Sequence, residues 1–90
     1  MTTYYHVAAQ GSELFDSAPS SSDLDKHCFV FLALASFKEE NGQEYTLKDV
    51  VSLIHEYNEA MGGCETEDPQ ELQKSLDWCA DKGFLAKSEK

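Results

Sequence analysis

The chain has 90 residues, the size of one small domain, and 41% of them are hydrophobic, which is enough for a globular core. The chain contains seventeen acidic side chains, seven lysines and no arginine, so its formal net charge is −10. This composition excludes a disordered chain, and it disfavours nucleic-acid binding because phosphates attract clustered Lys and Arg.

The sequence shows no feature of a membrane or secreted protein. Its longest apolar run, Cys28 to Ala35, is far shorter than the ~20 residues of a membrane span. The N-terminus has no basic and apolar leader, and three cysteines do not make a disulfide framework. We therefore expect a cytoplasmic protein with no membrane partner.

Residues 1–22 are predicted to be a short strand followed by a serine-rich loop. The stretch TTYYHVAA at residues 2–9 is β-prone, and a single strand needs a pairing partner elsewhere in the chain. Residues 10–22 contain glycine, proline and five serines, which is typical of a loop. Leu14 and Phe15 within it are expected to pack on the core.

The first predicted helix covers residues 22–41 and is central to the domain. Ser22 and Asp25 match a capping box, and Asn41-Gly42 matches a left-handed stop. The run FVFLAL is apolar almost all round, as in a helix covered on several sides. A buried strand is the alternative for this run, but the flanking polar residues continue a helical pattern.

The second helix is predicted over residues 46–62. Thr46 is its capping residue, and Asp49 at the third helical position also favours the positive end of the helix dipole. Apolar residues recur at helical spacing, which predicts a helix with one buried stripe: Leu47, Val50, Val51, Ile54, Tyr57 and Met61.

The third helix, over residues 68–82, has the clearest start and stop. Asp68 is a capping residue followed by Pro69, and Gly83 ends the helix. A strand is predicted at residues 84–87. The predicted fold class is therefore mainly α with a minor β component, in which three helices lie between short N- and C-terminal strands in a single domain.

From Leu24 to Lys87 the layout resembles the winged-helix superfamily. The stretch ELQKSLDWCADKGFLAK is similar to that family's last helix, which runs through a glycine into a strand. The resemblance implies a three-helix, winged-helix-like domain with a helix-turn-helix pair that reads DNA. The sequence departs from this layout in two ways. A second wing strand and a basic loop would follow Lys90 in that superfamily, and the last helix here is acidic. We expect the Tyr4–Val7 strand to pair with Phe84–Ala86 and cover that edge.

The sequence contains no catalytic or metal-binding pattern. His27 and Cys28 are adjacent on one helix, so their side chains point about 100° apart instead of forming a nucleophile pair. Cys28, Cys64 and Cys79 lack the spacing of two to four residues that structural zinc sites favour. We expect no enzyme, no cofactor and no metal.

The last helix and the loop before it hold the candidate binding residues. In the acidic run ETEDPQE, Asp68 and Glu71 have capping roles, whereas Glu65 and Glu67 have no such capping role. Trp78 lies about 120° from the centre of the helix's apolar stripe, so it is either covered by the N-terminal segment or an anchor for a protein partner. The predicted partner-binding residues are Glu65, Glu67, Asp68, Glu71, Lys74, Asp77, Trp78 and Asp81.

These features predict a small non-enzymatic inhibitor or adaptor that binds a basic protein through carboxylates and an indole, with nucleic-acid-binding proteins as one candidate class of partner. Viral counter-defence proteins and nuclease-immunity proteins share its short length and acidity, and the acidic loop is consistent with a DNA mimic. The alternative is a minimal winged-helix transcription regulator that acts as a dimer and faces DNA with Gln70, Gln73 and Lys74. A subunit of a larger assembly is a third interpretation, and the sequence leaves monomer and homodimer open.

Overall fold

The computed structural model describes residues 1–36, 44–63 and 65–90. These ranges contain two strands and four helices in the order β1 (Thr3–Val7), α1 (Gly11–Ser17), α2 (Ser22–Ser36), α3 (Leu47–Met61), α4 (Pro69–Asp81) and β2 (Leu85–Glu89). The predicted class, mainly α with a minor β component, is confirmed. Within the described ranges no helix is long and apolar enough to cross a membrane.

β1 and β2 form a small antiparallel sheet in which Tyr5 lies opposite Lys87. Two backbone hydrogen bonds between Thr2 and Lys90, of 2.8 and 2.9 Å, extend the ladder. On its other side, β1 forms a bridge with Tyr45 through reciprocal backbone bonds of 2.7 and 2.8 Å from Tyr5. The predicted pairing between the N-terminal and C-terminal strands is therefore confirmed, although the second strand runs over Leu85–Glu89 and not 84–87.

α2 is the central helix, as its apolar run predicts. It packs against α4, α3 and β1, and its run from Phe29 to Phe31 together with Ala33 and Leu34 is buried. Burial of each large apolar side chain contributes about 1.5–3 kcal/mol. The other elements complete the core with Tyr5, Tyr45, Val50, Leu53, Ile54, Leu72, Leu76, Cys79, Phe84 and Leu85.

The predicted starts of α3 and α4 are confirmed. Thr46 Oγ1 accepts a hydrogen bond from the Asp49 amide at 3.2 Å, and Asp49 Oδ2 accepts one from the Thr46 amide at 3.0 Å, which completes a capping box. Asp68 Oδ1 accepts from the Gln70 amide at 3.1 Å, with Pro69 at the first helical position. Local sequence therefore determines both helix starts.

The end of α4 is also formed as the sequence predicts. Gly83 has a φ of 86°, and its amide donates to Ala80 O at 3.1 Å. The amide of Phe84 donates to Cys79 O at 3.0 Å, and both of these residues are buried. This pair of bonds is a Schellman motif, which directs the chain from α4 into β2.

The predicted loop over residues 10–22 is wrong, because residues Gly11–Ser17 form the helix α1. Phe15 explains the difference: its ring stacks on Phe31 at 4.7 Å and meets the edge of Phe84 at 5.5 Å. These tertiary contacts stabilise a helix that the serine-rich composition disfavours. Phe15 packs on the core as expected, whereas Leu14 remains 42% exposed.

α2 begins at Ser22, as predicted, but its capping residue is not the predicted one. Ser21, and not Ser22, caps the helix, because Ser21 Oγ accepts a hydrogen bond from the Leu24 amide at 3.0 Å. The structure describes this helix to Ser36. Its predicted end at Asn41-Gly42 lies outside the described residues.

We expect Gly11→Ala to lower the free energy of unfolding by about 2 kcal/mol, although alanine is the better helix former. A Cβ at Gly11 would lie 2.2 Å from Phe84 O, so α1 and the start of β2 would have to move apart. Urea unfolding measures the change. Gly63→Ala is the control, because its Cβ would meet only Asn58 Oδ1 at 3.5 Å. Equal stability of the two variants would contradict the close approach.

Candidate functional site

The structure places the eight predicted binding residues in three parts of the surface. One group follows α3, a second lies along α4 within about 60° of Trp78, and Asp77 points towards the sheet. The first group is Glu65, Glu67 and Asp68, and the second is Glu71, Lys74, Trp78 and Asp81. Asp77 therefore faces away from the other seven residues, since it pairs with Lys87 of the sheet.

The acidic segment between α3 and α4 is tied to α3 by two side chains. Asn58 Nδ2 donates to Glu65 O at 2.9 Å and to Glu67 Oε2 at 3.2 Å, while Asn58 Oδ1 accepts from the Glu65 amide at 3.1 Å. His55 Nδ1 lies 3.0 Å from Glu67 Oε1. Glu67 does not cap a helix, as expected, but its side chain binds His55 and Asn58 of α3.

His55 lies between two carboxylates. Its Nε2 is 3.0 Å from Glu59 Oε1, one helical turn later, and its Nδ1 is 3.0 Å from Glu67 Oε1. The hydrogen bond that His55 donates to Glu67, and then the charges of Glu67 and Glu59, raise the pKa of His55 above its ordinary value. The imidazole is exposed, so the site is open to a partner.

We call Glu59, Glu65, Glu67 and Asp68 the acidic patch. All four residues are exposed, and they surround the clamp formed by His55 and Asn58. In the described part of the chain, no lysine forms an ion pair with any of them. Sequence reasoning missed Glu59, His55 and Asn58, although the spacing of four residues between His55 and Glu59 is visible in the sequence.

Trp78 is half-buried and packs against the core. Its indole meets the Phe84 ring at 5.8 Å and the His27 imidazole at 5.4 Å. A crevice of about 100 Å³ lies beside it, lined in part by Ala18 and Pro19 from the connection between α1 and α2. The N-terminal segment therefore covers one side of Trp78, while the other side remains accessible.

The sheet side of α4 is joined to β1 and β2 by a polar network. The hydroxyl of the buried Tyr5 accepts a hydrogen bond from Gln73 Nε2 at 2.6 Å. Asp77 Oδ1 accepts from Gln73 Nε2 and from Lys87 Nζ, both at 3.1 Å. Gln73 and Asp77, which the sequence places on an outward face of the last helix, therefore stabilise the contact between helix and sheet.

The thiols of Cys79 and Cys28 are protonated at neutral pH. Burial raises the pKa of Cys79 to about 12 and also raises the pKa of Cys28. A protonated thiol is a poor nucleophile and a poor metal ligand. Among the residues that the structure describes, no three His, Cys, Asp or Glu side chains are placed to hold a metal ion.

No family model matches this chain, and neither a curated protein nor a solved structure matches it. The fold and the surface define a mainly helical, acidic domain with exposed carboxylates gathered around His55 and Asn58. Its function is inferred from the geometry and charge of these residues.

We expect Trp78→Ala to lower the free energy of unfolding by about 2 kcal/mol, less than the 3–5 kcal/mol that a fully buried tryptophan contributes. The loss would arise from the contacts of the indole with Phe84 and His27. Urea unfolding followed by circular dichroism measures it. Lys74→Ala, on the same side of α4 and exposed, should change stability by less than about 0.5 kcal/mol. If Trp78→Ala were equally neutral, the indole would be a surface anchor.

We expect the native protein to lose more stability than a His27→Gln variant when the pH falls from about 7.5 to about 5. His27 Nδ1 is 2.9 Å from the hydroxyl of the buried Ser75. Burial, and then the charge of Lys26, lower the pKa of His27 below 6.5. The stabilisation is therefore present above the unfolded pKa and lost as the pH falls through the folded pKa. Urea unfolding at each pH measures the free energy of unfolding of both proteins, and equal losses in the two would refute this role of His27.

Proposed function

We propose that this protein is a small non-enzymatic interaction protein that docks on a basic protein and acts there as an inhibitor or adaptor in the cytoplasm. The observation that carries the proposal is the acidic patch. Its carboxylates are exposed, no lysine pairs with them in the described ranges, and Asn58 and His55 hold the segment that presents them. Fixed charges lose less conformational entropy on binding than freely moving side chains do.

The distribution of lysines supports a protein partner over a nucleic acid. Lys74, Lys87 and Lys90 lie in ion pairs with the carboxylates of Glu71, Asp77 and Glu44 respectively. A phosphate would have to compete with those carboxylates and with the net charge of −10. The same net charge would attract a cationic protein and increase its association rate.

A nucleic-acid-binding protein is the class of partner that this surface fits best. Such a protein has a cationic groove that accepts a series of regularly placed negative charges. Glu59 and Glu67 on the two sides of one imidazole, with Glu65 and Asp68 next to them, offer negative charges in fixed positions. The acidic patch would therefore act as a mimic of a phosphate backbone.

A winged-helix-like regulator that binds DNA as a dimer is the second candidate, and the sheet favours it. β1 pairs with β2 and bridges Tyr45, so it lies beside β2, where the second wing strand is expected in that superfamily. The polar network weighs against this candidate. Gln73 and Asp77 are engaged with Tyr5 and Lys87, so a DNA reader would have to break those contacts.

The test compares two variants with the same change of net charge. The patch variant is Glu59→Gln, Glu65→Gln and Glu67→Gln, and its matched control is Glu13→Gln, Asp16→Asn and Glu89→Gln, all exposed residues outside the patch. Each is immobilised and used to capture proteins from cell lysate. We expect the native protein and the control to retain the same basic protein and the patch variant to lose at least about 90% of it, which corresponds to about 1.4 kcal/mol.

Circular dichroism confirms first that both variants are folded. Equal loss in both variants would mean that net charge, and not the acidic patch, is responsible. A labelled duplex DNA at about 50 mM salt is the second probe, and binding that weakens steeply with added salt would favour the regulator.

A further inference from the structure

His55 lies at the centre of the acidic patch, with a carboxylate oxygen 3.0 Å from each of its ring nitrogens. A neutral imidazole has only one N–H, so it donates a hydrogen bond to one carboxylate and presents a lone pair to the other. Only the imidazolium donates to both. The described arrangement of His55 with Glu59 and Glu67 is therefore the geometry of the protonated ring.

Two structural elements supply the charges that act on this imidazole. Glu59 lies on α3 with His55, and Glu67 comes from the segment that leads into α4. The main charges acting on His55 are those of Glu67 and Glu59, and neither belongs to α2 or α4, which pack against α3. Both carboxylates favour the protonated ring, so the pKa of His55 is raised.

Loss of the proton changes the acidic patch in two ways. The neutral ring keeps a hydrogen bond to either Glu59 or Glu67 and releases the other carboxylate, and the positive charge between them disappears. The backbone of Glu65 remains fixed by Asn58, and Asp68 remains the cap of α4, because neither contact involves the imidazole. The patch therefore becomes more negative while most of its framework is kept.

We propose that His55 makes docking at the acidic patch pH-dependent: a protonated His55 weakens binding of the basic partner, and a neutral His55 strengthens it. This inference rests on the proposed function and adds its regulation. The contribution of the His55 clamp to the stability of the fold changes with pH in the opposite direction to the binding affinity. Because the folded pKa is raised, the clamp stabilises the fold below the unfolded pKa, and this contribution is lost as the pH rises through the folded pKa.

The clamp is tested by NMR titration of the histidine ring protons, which requires no partner. We expect His55 to titrate at a higher pH than His27, whose pKa is lowered. Glu67→Gln and Glu59→Gln should each lower the midpoint of His55. Glu56→Gln is the control, because Glu56 is exposed on the same helix but does not contact the ring, and it should leave the midpoint unchanged. A midpoint that is the same in all variants would overturn the clamp.

Docking is tested with a peptide of nine lysines whose N-terminal amine carries the fluorophore as an amide, so that its charge stays constant between about pH 5.5 and pH 8. We expect the affinity of the native protein to rise about two- to five-fold over this range, which is the scale of one exposed charge pair. In a His55→Gln variant the rise should be largely lost. A rise that persists in His55→Gln would overturn the inference and leave the proposed function intact. Failure of the native protein to bind the peptide at any pH would overturn both, whatever the NMR titration shows.

Discussion

The fold depends on the packing around Phe84, where four elements meet. Its amide completes the Schellman motif of α4, its carbonyl accepts a hydrogen bond from the Ala8 amide at 3.1 Å, and Gly11 lies directly against that carbonyl. Its ring contacts Phe15 of α1, Phe31 of α2 and Trp78 of α4. This single position therefore fixes α1 against α2 and determines how α4 turns into the sheet. The acidic patch lies at the opposite end of α4, so its position follows from the same packing.

Charge is divided unevenly over this scaffold. Ion pairs are formed by Lys74, by Lys87 of β2 and by Lys90, which follows β2. Among the residues that the structure describes, the basic group that contacts the carboxylates of the patch is a histidine, whose charge depends on pH. Exposed ion pairs contribute little to stability. The effect of this division is therefore mainly on the surface potential, which remains strongly negative around α3 and the start of α4.

Two of the three histidines illustrate why the chemistry of the site could not be predicted from the sequence. His27 and His55 both occur on predicted helices, but burial lowers the pKa of His27, whereas Glu67 and Glu59 raise that of His55. The spacing of four residues predicts the contact between His55 and Glu59. Glu67 contacts His55 only because the segment after α3 folds back onto the helix. Trp78 presents the same limit: its angle on α4 is predictable, but Ala18 and Pro19, which line the crevice beside it, follow a helix that the composition does not predict.

The sequence by itself determined the features whose causes are local. The capping box of Thr46, the Asp68-Pro69 start, the Gly83 stop and the central apolar helix all depend on residues a few positions apart. Tertiary structure decided α1, the engagement of Asp77 with the sheet and the clamp on Glu67. Each of these depends on contacts between residues distant in sequence or on the backbone path between two helices. These contacts contribute to stability only when the chain is compact, so periodicity and composition do not predict them.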